Sequence, residues 1–128
     1  MFLRDLLATF PRANRLIVTV PARSELWSNY DEFYRHLRRY ALADVTRLVT
    51  AIGAAVVYAG YFFHLLYWPA RVFIARGGRR PVRIRAPGSV TRSLHAALAA
   101  YFFLEQELVA GTVAGTSIIC HAQLPSAL

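Results

Sequence analysis

The run LVTAIGAAVVYAGYFFHLLYW, residues 48–68, decides the predicted fold because it carries no formal charge along its whole length. An apolar helix needs about 20 residues to cross the roughly 30 Å hydrocarbon core of a bilayer. Aromatic residues of the interfacial type gather toward one end of the run: Tyr58, Tyr61, Tyr67 and Trp68. A buried core helix is the alternative, but core helices of this length usually carry polar residues on one face. The sequence predicts a transmembrane helix over residues 48–68.

The segment before this run, residues 24–47, contains neither glycine nor proline and repeats apolar side chains at helical spacing: Leu26, Tyr30, Phe33, Leu37 and Tyr40. Ser24 or Ser28 is the candidate N-cap, with Asp31 and Glu32 in the first turn, where they oppose the helix dipole. Nothing breaks the helix before the apolar run, so we expect one helix of about 65 Å. Its aromatic stripe implies a protein partner.

Residues 1–23 interleave arginines with apolar side chains and contain one acid, Asp5. This pattern resembles a mitochondrial transit peptide, which is amphipathic, arginine-rich and poor in acids. Pro11 and Pro21 divide the segment, which predicts a short helix over residues 2–9 and then an extended connection. We expect an uncleaved import signal and the mitochondrial inner membrane. The alternative is an amphipathic anchor in a bacterial inner membrane.

Residues 69–93 form a predicted loop that holds arginines without a single acid and is broken by Gly77 and Gly78. The candidate ligands for lipid phosphate are Arg71, Arg76, Arg79, Arg80, Arg83 and Arg85. Guanidinium groups bind phosphate bidentately, and a basic loop beside a span attracts anionic lipid. A bound anionic phospholipid such as cardiolipin is therefore expected. Contact with an RNA backbone is the alternative, but the loop lacks interleaved aromatic residues for base stacking.

Residues 94–120 are apolar apart from Glu105 and Glu107. Neither half is long enough to span a bilayer alone, so we predict one second apolar helix with two intramembrane carboxyls. A re-entrant or interfacial pair of short segments is the alternative. A charge at the bilayer centre costs about 2.5–3.5 kcal/mol, so these carboxyls should be protonated, paired or turned toward protein. Residues 121–128 form a tail.

Small residues predict tight helix packing within this membrane pair. Gly111 and Gly115 form a G-x-x-x-G step, and Gly53 and Gly60 lie on one face of the first span close to His64. We expect His64 to bond a neighbouring helix rather than a metal or haem, because the other histidines and the single cysteine lack metal-ligand spacing.

The chain has 128 residues, of which 56% are hydrophobic, and carries net charge +8, with arginine as its only strongly basic residue. Such a length allows one domain and leaves little chain outside lipid for a catalytic cleft. Motifs of serine hydrolases, P-loop proteins, zinc proteases and dithiol oxidoreductases are missing from the sequence. We therefore expect no enzyme, no metal and no cofactor other than lipid.

The predicted fold class is a mostly α-helical integral membrane protein, in which a long amphipathic helix continues into a transmembrane helix, followed by a basic loop and a second apolar helix. The predicted function is that of a non-catalytic accessory subunit of an energy-transducing membrane complex, either the respiratory chain or ATP synthase. Its role would be structural, in assembly and in lipid binding, with other subunits and anionic lipid as partners. Two alternatives are a small proton- or cation-translocating protein that uses Glu105 and an RNA-contacting membrane tether.

Overall fold

The computed structural model describes residues 2–79, 81 and 88–125. Within them, three strands form an antiparallel sheet in the order β1-β3-β2: β1 is Arg15–Pro21, β2 is Ala55–Phe62 and β3 is Ser117–Gln123. The helices of the same residues are α1 Phe2–Thr9, α2 Asn29–Phe33, α3 Leu42–Thr50, α4 Tyr67–Ala75 and α5 Ser89–Leu108. The strand that comes last in the sequence, β3, pairs with both of the others.

None of the helices in the described ranges combines the length and the apolar character that crossing a bilayer requires. The predicted fold class, a mostly α-helical integral membrane protein, is therefore wrong. The localisation to the mitochondrial inner membrane, which combined the transit-peptide-like start with the predicted spans, is wrong with it. The architecture is instead a small α/β fold with an antiparallel sheet.

The apolar run 48–68 is divided among three elements. α3 ends at Thr50, and Gly53 follows with a φ of 82°, in the left-handed region that favours glycine after a helix. The next segment, AVVYAGYF, is rich in β-branched and aromatic residues and forms β2. A continuous apolar run suits a buried strand as well as a helix, so the absence of charge did not identify a span.

Residues 94–120 are divided in the same way. α5 ends at Leu108, and the segment that carries Gly111 and Gly115 connects it to β3. The sequence SIICHAQ begins with β-branched residues after a serine and forms the central strand. The predicted second membrane helix is wrong, because the helix ends at Leu108 and residues 117–120 belong to the sheet.

Two local predictions are confirmed. A helix covers residues 2–9 as α1. Ser28 is the N-cap of α2: its hydroxyl accepts from the Tyr30 amide, and its own amide donates to Asp31 in a capping box. The single long helix from residue 24 is wrong, because α2 ends after five residues and Arg35 then adopts a φ of 55°.

The core lies between the sheet and α3. Ile118, Cys120 and Ala122 of β3 are fully buried and alternate with less buried neighbours. Val45 and Val49 of α3 pack in the same cluster. Burial raises the pKa of the Cys120 thiol, so this side chain stays protonated at neutral pH and behaves as an apolar core residue.

Candidate functional site

A cleft of about 310 Å³ lies between α4 and the segment of residues 24–40, here called the Asp31 lobe. Its apolar lining includes Leu26, Ala70 and Ile74, and its polar lining includes Tyr34 and His36. Mostly apolar walls with a few placed polar groups are the usual composition of a ligand site. The cleft is therefore the candidate functional site of the chain.

A buried carboxylate organises the Asp31 lobe. Asp31 is 0% exposed, and both of its oxygens accept from Nε of Arg39, at 3.0 and 3.1 Å. The backbone amide of Ser28 donates to Asp31 at 2.9 Å, and Nδ1 of His36 lies 3.1 Å from it. Arg39 also donates to the carbonyl of Ala22 at 3.0 Å, which ties the lobe to the chain just after β1. Asp31 thus joins α2 to His36 and Arg39, which lie beyond the end of that helix.

Opposing effects act on the ionisation of this carboxyl. Burial by itself raises the pKa of Asp31, but the hydrogen bonds from Arg39 and His36 outweigh it and hold that pKa below its usual value. Asp31 is therefore a carboxylate at neutral pH. Because a carboxylate only accepts hydrogen bonds, Nδ1 of His36 is the protonated nitrogen, and Nε2 is the ring nitrogen available to a ligand.

The hydroxyl that contacts the Asp31–His36 pair, that of Ser28, is placed differently from the hydroxyl of a nucleophilic site. In nucleophilic sites the hydroxyl contacts the histidine, which the carboxylate orients from the other side. Here the hydroxyl of Ser28 lies 3.3 Å from Asp31, on the carboxylate side of the pair. Among the described residues, no group of three histidine, cysteine, aspartate or glutamate side chains is placed to hold a metal ion.

The two walls of the cleft are fixed to each other. The Tyr67 hydroxyl of α4 donates to Glu25 of the Asp31 lobe at 3.0 Å. Burial and this hydrogen bond raise the pKa of Tyr67, so the phenol remains the donor. The guanidinium of Arg23 lies 4.5 Å from the centre of the Tyr61 ring, a cation–π contact that joins the base of the lobe to β2. The cleft is preformed.

A second buried carboxylate supports the start of α4. Glu105 is 6% exposed and accepts from the backbone amides of His64 at 2.9 Å and Leu65 at 2.7 Å. Glu107, two residues later, is exposed. Of the two predicted intramembrane carboxyls, Glu105 is thus a buried hydrogen-bond acceptor within the domain, and Glu107 is a surface side chain. His64 also lies within hydrogen-bond distance of another segment, with its Nδ1 3.2 Å from the carbonyl of Ala114.

Glu105→Gln is expected to lower the free energy of unfolding by about 2 kcal/mol, because the amide nitrogen would face a buried backbone donor that then lacks an acceptor. Glu107→Gln is the matched control, since it makes the same change on the exposed side of α5, and we expect a change below about 0.5 kcal/mol. Urea unfolding followed by circular dichroism measures both variants. Equal stabilities would show that the Glu105 contacts contribute nothing net.

All five residues predicted to pack in membrane helices lie outside helices, yet close approaches are present. Gly60 of β2 and Gly111 of the connection pack tightly: a Cβ on Gly60 would lie 3.0 Å from the Gly111 Cα. The Tyr61 amide donates to the Gly111 carbonyl at 2.7 Å. Gly115 packs on the backbone of Phe62. The predicted helix–helix contact is therefore a contact between a strand and a loop, and Gly53 serves to end α3.

The arginines proposed to bind phosphate are described in part. Arg71, Arg76 and Arg79 are exposed around α4 and the residues that follow it. Arg79 reaches Glu32 of the Asp31 lobe, with 3.7 Å between the charged groups. The remaining three candidates lie outside the described residues: Arg80, Arg83 and Arg85. Binding of an anionic phospholipid stays a prediction.

Sequence reasoning found part of this site. The capping-box spacing of Ser28 and Asp31 was visible in the sequence, but it indicated only the start of a helix. The contacts of Asp31 with His36 and Arg39 were not predicted, because they depend on a change of chain direction at Arg35 that no local sequence pattern indicates. Comparison of this chain with protein-family models, curated proteins and solved structures finds no match.

Proposed function

We propose that this chain is a non-catalytic accessory subunit that binds a partner protein through the cleft, which takes an acidic segment with an apolar anchor side chain. The observation that supports this most directly is the preformed cleft itself, with apolar walls and a histidine oriented by a buried carboxylate. A group held in one position loses little freedom on binding, which favours recognition.

The charge of the molecule favours an acidic partner. The net charge is +8, and exposed arginines lie on or next to both elements that form the cleft: Arg35 on the Asp31 lobe, and Arg71, Arg76 and Arg79 around α4. Asp31, by contrast, is already neutralised by Arg39. Complementary charge raises the rate of association and suppresses like-charged partners.

The size of the cleft favours a peptide side chain over a large cofactor. About 310 Å³ stands at the low end of the range for small-molecule pockets, roughly 300–1,000 Å³. Leu26, Ala70 and Ile74 offer an apolar surface for one anchor, and the exposed arginines on the same two elements suit flanking carboxylates. An apolar anchor in a pocket with a charged rim is a common arrangement at protein interfaces.

The test is fluorescence anisotropy of a labelled peptide of alternating glutamate and leucine, with a lysine–leucine peptide as the charge control. We expect the acidic peptide alone to bind, and more weakly as salt is added. Ala70→Glu, which places a carboxylate in the cleft, should weaken binding at least about tenfold, equivalent to about 1.4 kcal/mol.

Ala75→Glu is the matched control for this substitution. It introduces the same side chain on the same helix at an exposed position outside the cleft, and we expect a small change in affinity. Equal binding of both peptides, or equal effects of the two substitutions, would contradict the proposal.

A further inference from the structure

One face of α5 carries apolar side chains at alternating spacings of four and three residues: Val90, Leu94, Ala97, Tyr101, Leu104 and Leu108. These six residues are called the α5 seam. Every one of them is exposed, and the exposed fractions of the five larger side chains run from 45% for Tyr101 to 82% for Val90. This spacing is that of the contact positions in a two-stranded coiled coil.

The seam is separate from the face by which α5 attaches to the rest of the molecule. Phe102 packs on Phe63 with ring centres 4.7 Å apart. Glu105 bonds the start of α4, and Gln106 donates to the Tyr58 hydroxyl at 2.9 Å. At about 100° per residue, Phe102 and Gln106 point roughly 120° and 160° away from the centre of the seam, and Glu105 points about 60° away, at its border. The attachment of α5 therefore leaves the seam open.

We propose that a second copy of this chain packs on the seam, with its α5 antiparallel to the first. The seam is symmetric about Ala99, so an antiparallel pair matches its six residues without a gap: Val90 with Leu108, Leu94 with Leu104, and Ala97 with Tyr101. Each contact then occurs twice, once from each copy to the other, as a two-fold symmetric interface requires.

The sizes of the side chains favour the antiparallel direction. Antiparallel pairing sets the small Ala97 of one copy against the large Tyr101 of the other, twice, so that the two layers fill evenly. A parallel pair in register would place two alanines together and two tyrosines together, which creates a void beside an overcrowded layer. Opposed helix dipoles also favour the antiparallel arrangement.

The length of the seam predicts a reversible dimer. From Val90 to Leu108 the helix is about 28 Å long, and a contact strip about 10 Å wide covers roughly 300 Å² on each copy. A standard stable interface buries roughly 800 Å² per partner. We therefore expect dissociation in the micromolar range, so the monomer and the dimer should both be seen as the concentration changes.

Sedimentation velocity of the full chain tests the surface. We expect the mass to rise from one chain to two with concentration. Leu104→Glu should raise the dissociation constant at least about tenfold, because a carboxylate would face Leu94 of the second copy. Phe103→Glu is the matched control: Phe103 is 71% exposed on the same helix but points away from the seam, and its dimer should be unchanged. A wild-type chain that stays monomeric, or equal effects of both variants, would overturn the proposal.

Disulfide cross-linking tests the direction. In the antiparallel pair the two copies of position 94 are ten residues apart along the axis, roughly 15 Å, which exceeds the reach of a disulfide of about 7 Å. Leu94→Cys alone should therefore not cross-link, whereas a mixture with Leu104→Cys should. The native Cys120 is 0% exposed and should give no background. The antiparallel arrangement would be contradicted if Leu94→Cys cross-linked by itself. It would also be contradicted if a dimer formed but neither Leu94→Cys nor its mixture with Leu104→Cys gave a disulfide.

Discussion

Asp31→Asn is expected to lower the free energy of unfolding by about 3 kcal/mol, and the melting temperature by roughly 10 °C. The substitution keeps the shape of the side chain but removes the charge that Arg39 and His36 contact in a site with 0% exposure. Breaking a buried ion pair from one side is costly because the remaining charge stays desolvated. Urea unfolding followed by circular dichroism measures the difference.

Asp44→Asn is the control for the loss of a carboxylate. Asp44 pairs with Arg47 on the surface of α3, where the two side chains are 46% and 75% exposed. Exposed pairs contribute between 0 and about 1 kcal/mol, so we expect a change in that range. A similar loss for both variants would show that the buried position of Asp31 has no special role in stability.

The same carboxylate predicts how stability depends on acidity. The pKa of Asp31 is lower in the folded chain than in the unfolded chain. The unfolded chain therefore binds the proton more readily, and the stabilisation is fully present above the unfolded value of about 3.9. It is lost as the pH falls through the folded pKa. Stability curves of the wild type and Asp31→Asn should converge on acidification, and curves that stay parallel would contradict this account.

The errors in the sequence prediction came from contacts between distant parts of the chain. Ser28 and Pro11 act on neighbours within a few residues, and the elements they predict, a capped α2 and a short α1, are present. β3 pairs with a strand about a hundred residues earlier, Arg15–Pro21. β3 begins with a short apolar stretch, residues 118–120, and periodicity does not distinguish such a stretch from part of a helix.

The candidate site shows the same division between local and distant information. Asp31 was recognised as an acid in a first turn, but its contact with Arg39 spans eight residues and depends on the reversal at Arg35. Glu105 was recognised as an acid among apolar residues that needs a partner. Its partners are backbone amides at His64 and Leu65, groups that every residue possesses and that no sequence motif identifies.

Gly115→Ala is expected to lower the free energy of unfolding by about 3 kcal/mol. The atoms that an added Cβ would meet are backbone atoms, which cannot move aside as a flexible side chain can. A Cβ at this position would overlap the carbonyl oxygen of Phe62 and come within 3.0 Å of its amide nitrogen and carbonyl carbon. These are backbone atoms at the end of β2, where Phe62 is paired with Ser117 of β3. Relief of the overlap requires the strand and the connection to separate, and overpacking of this kind costs about 1–3 kcal/mol or more.

Gly88→Ala serves as the control, because a Cβ at Gly88 would meet no heavy atom of the described residues within 4 Å and its φ of −67° suits alanine. We expect a loss below about 1 kcal/mol for it.

The substitution at Gly115 should also affect the cleft. The carbonyl of the next residue, Thr116, accepts from the Ala22 amide, and Thr116 itself lines the cleft. Weaker binding of the acidic peptide by Gly115→Ala, with Gly88→Ala unaffected, would connect the two observations. Wild-type stability in Gly115→Ala would instead show that the connection moves freely, and the tight contact between β2 and this loop would lose its assigned role in holding the cleft.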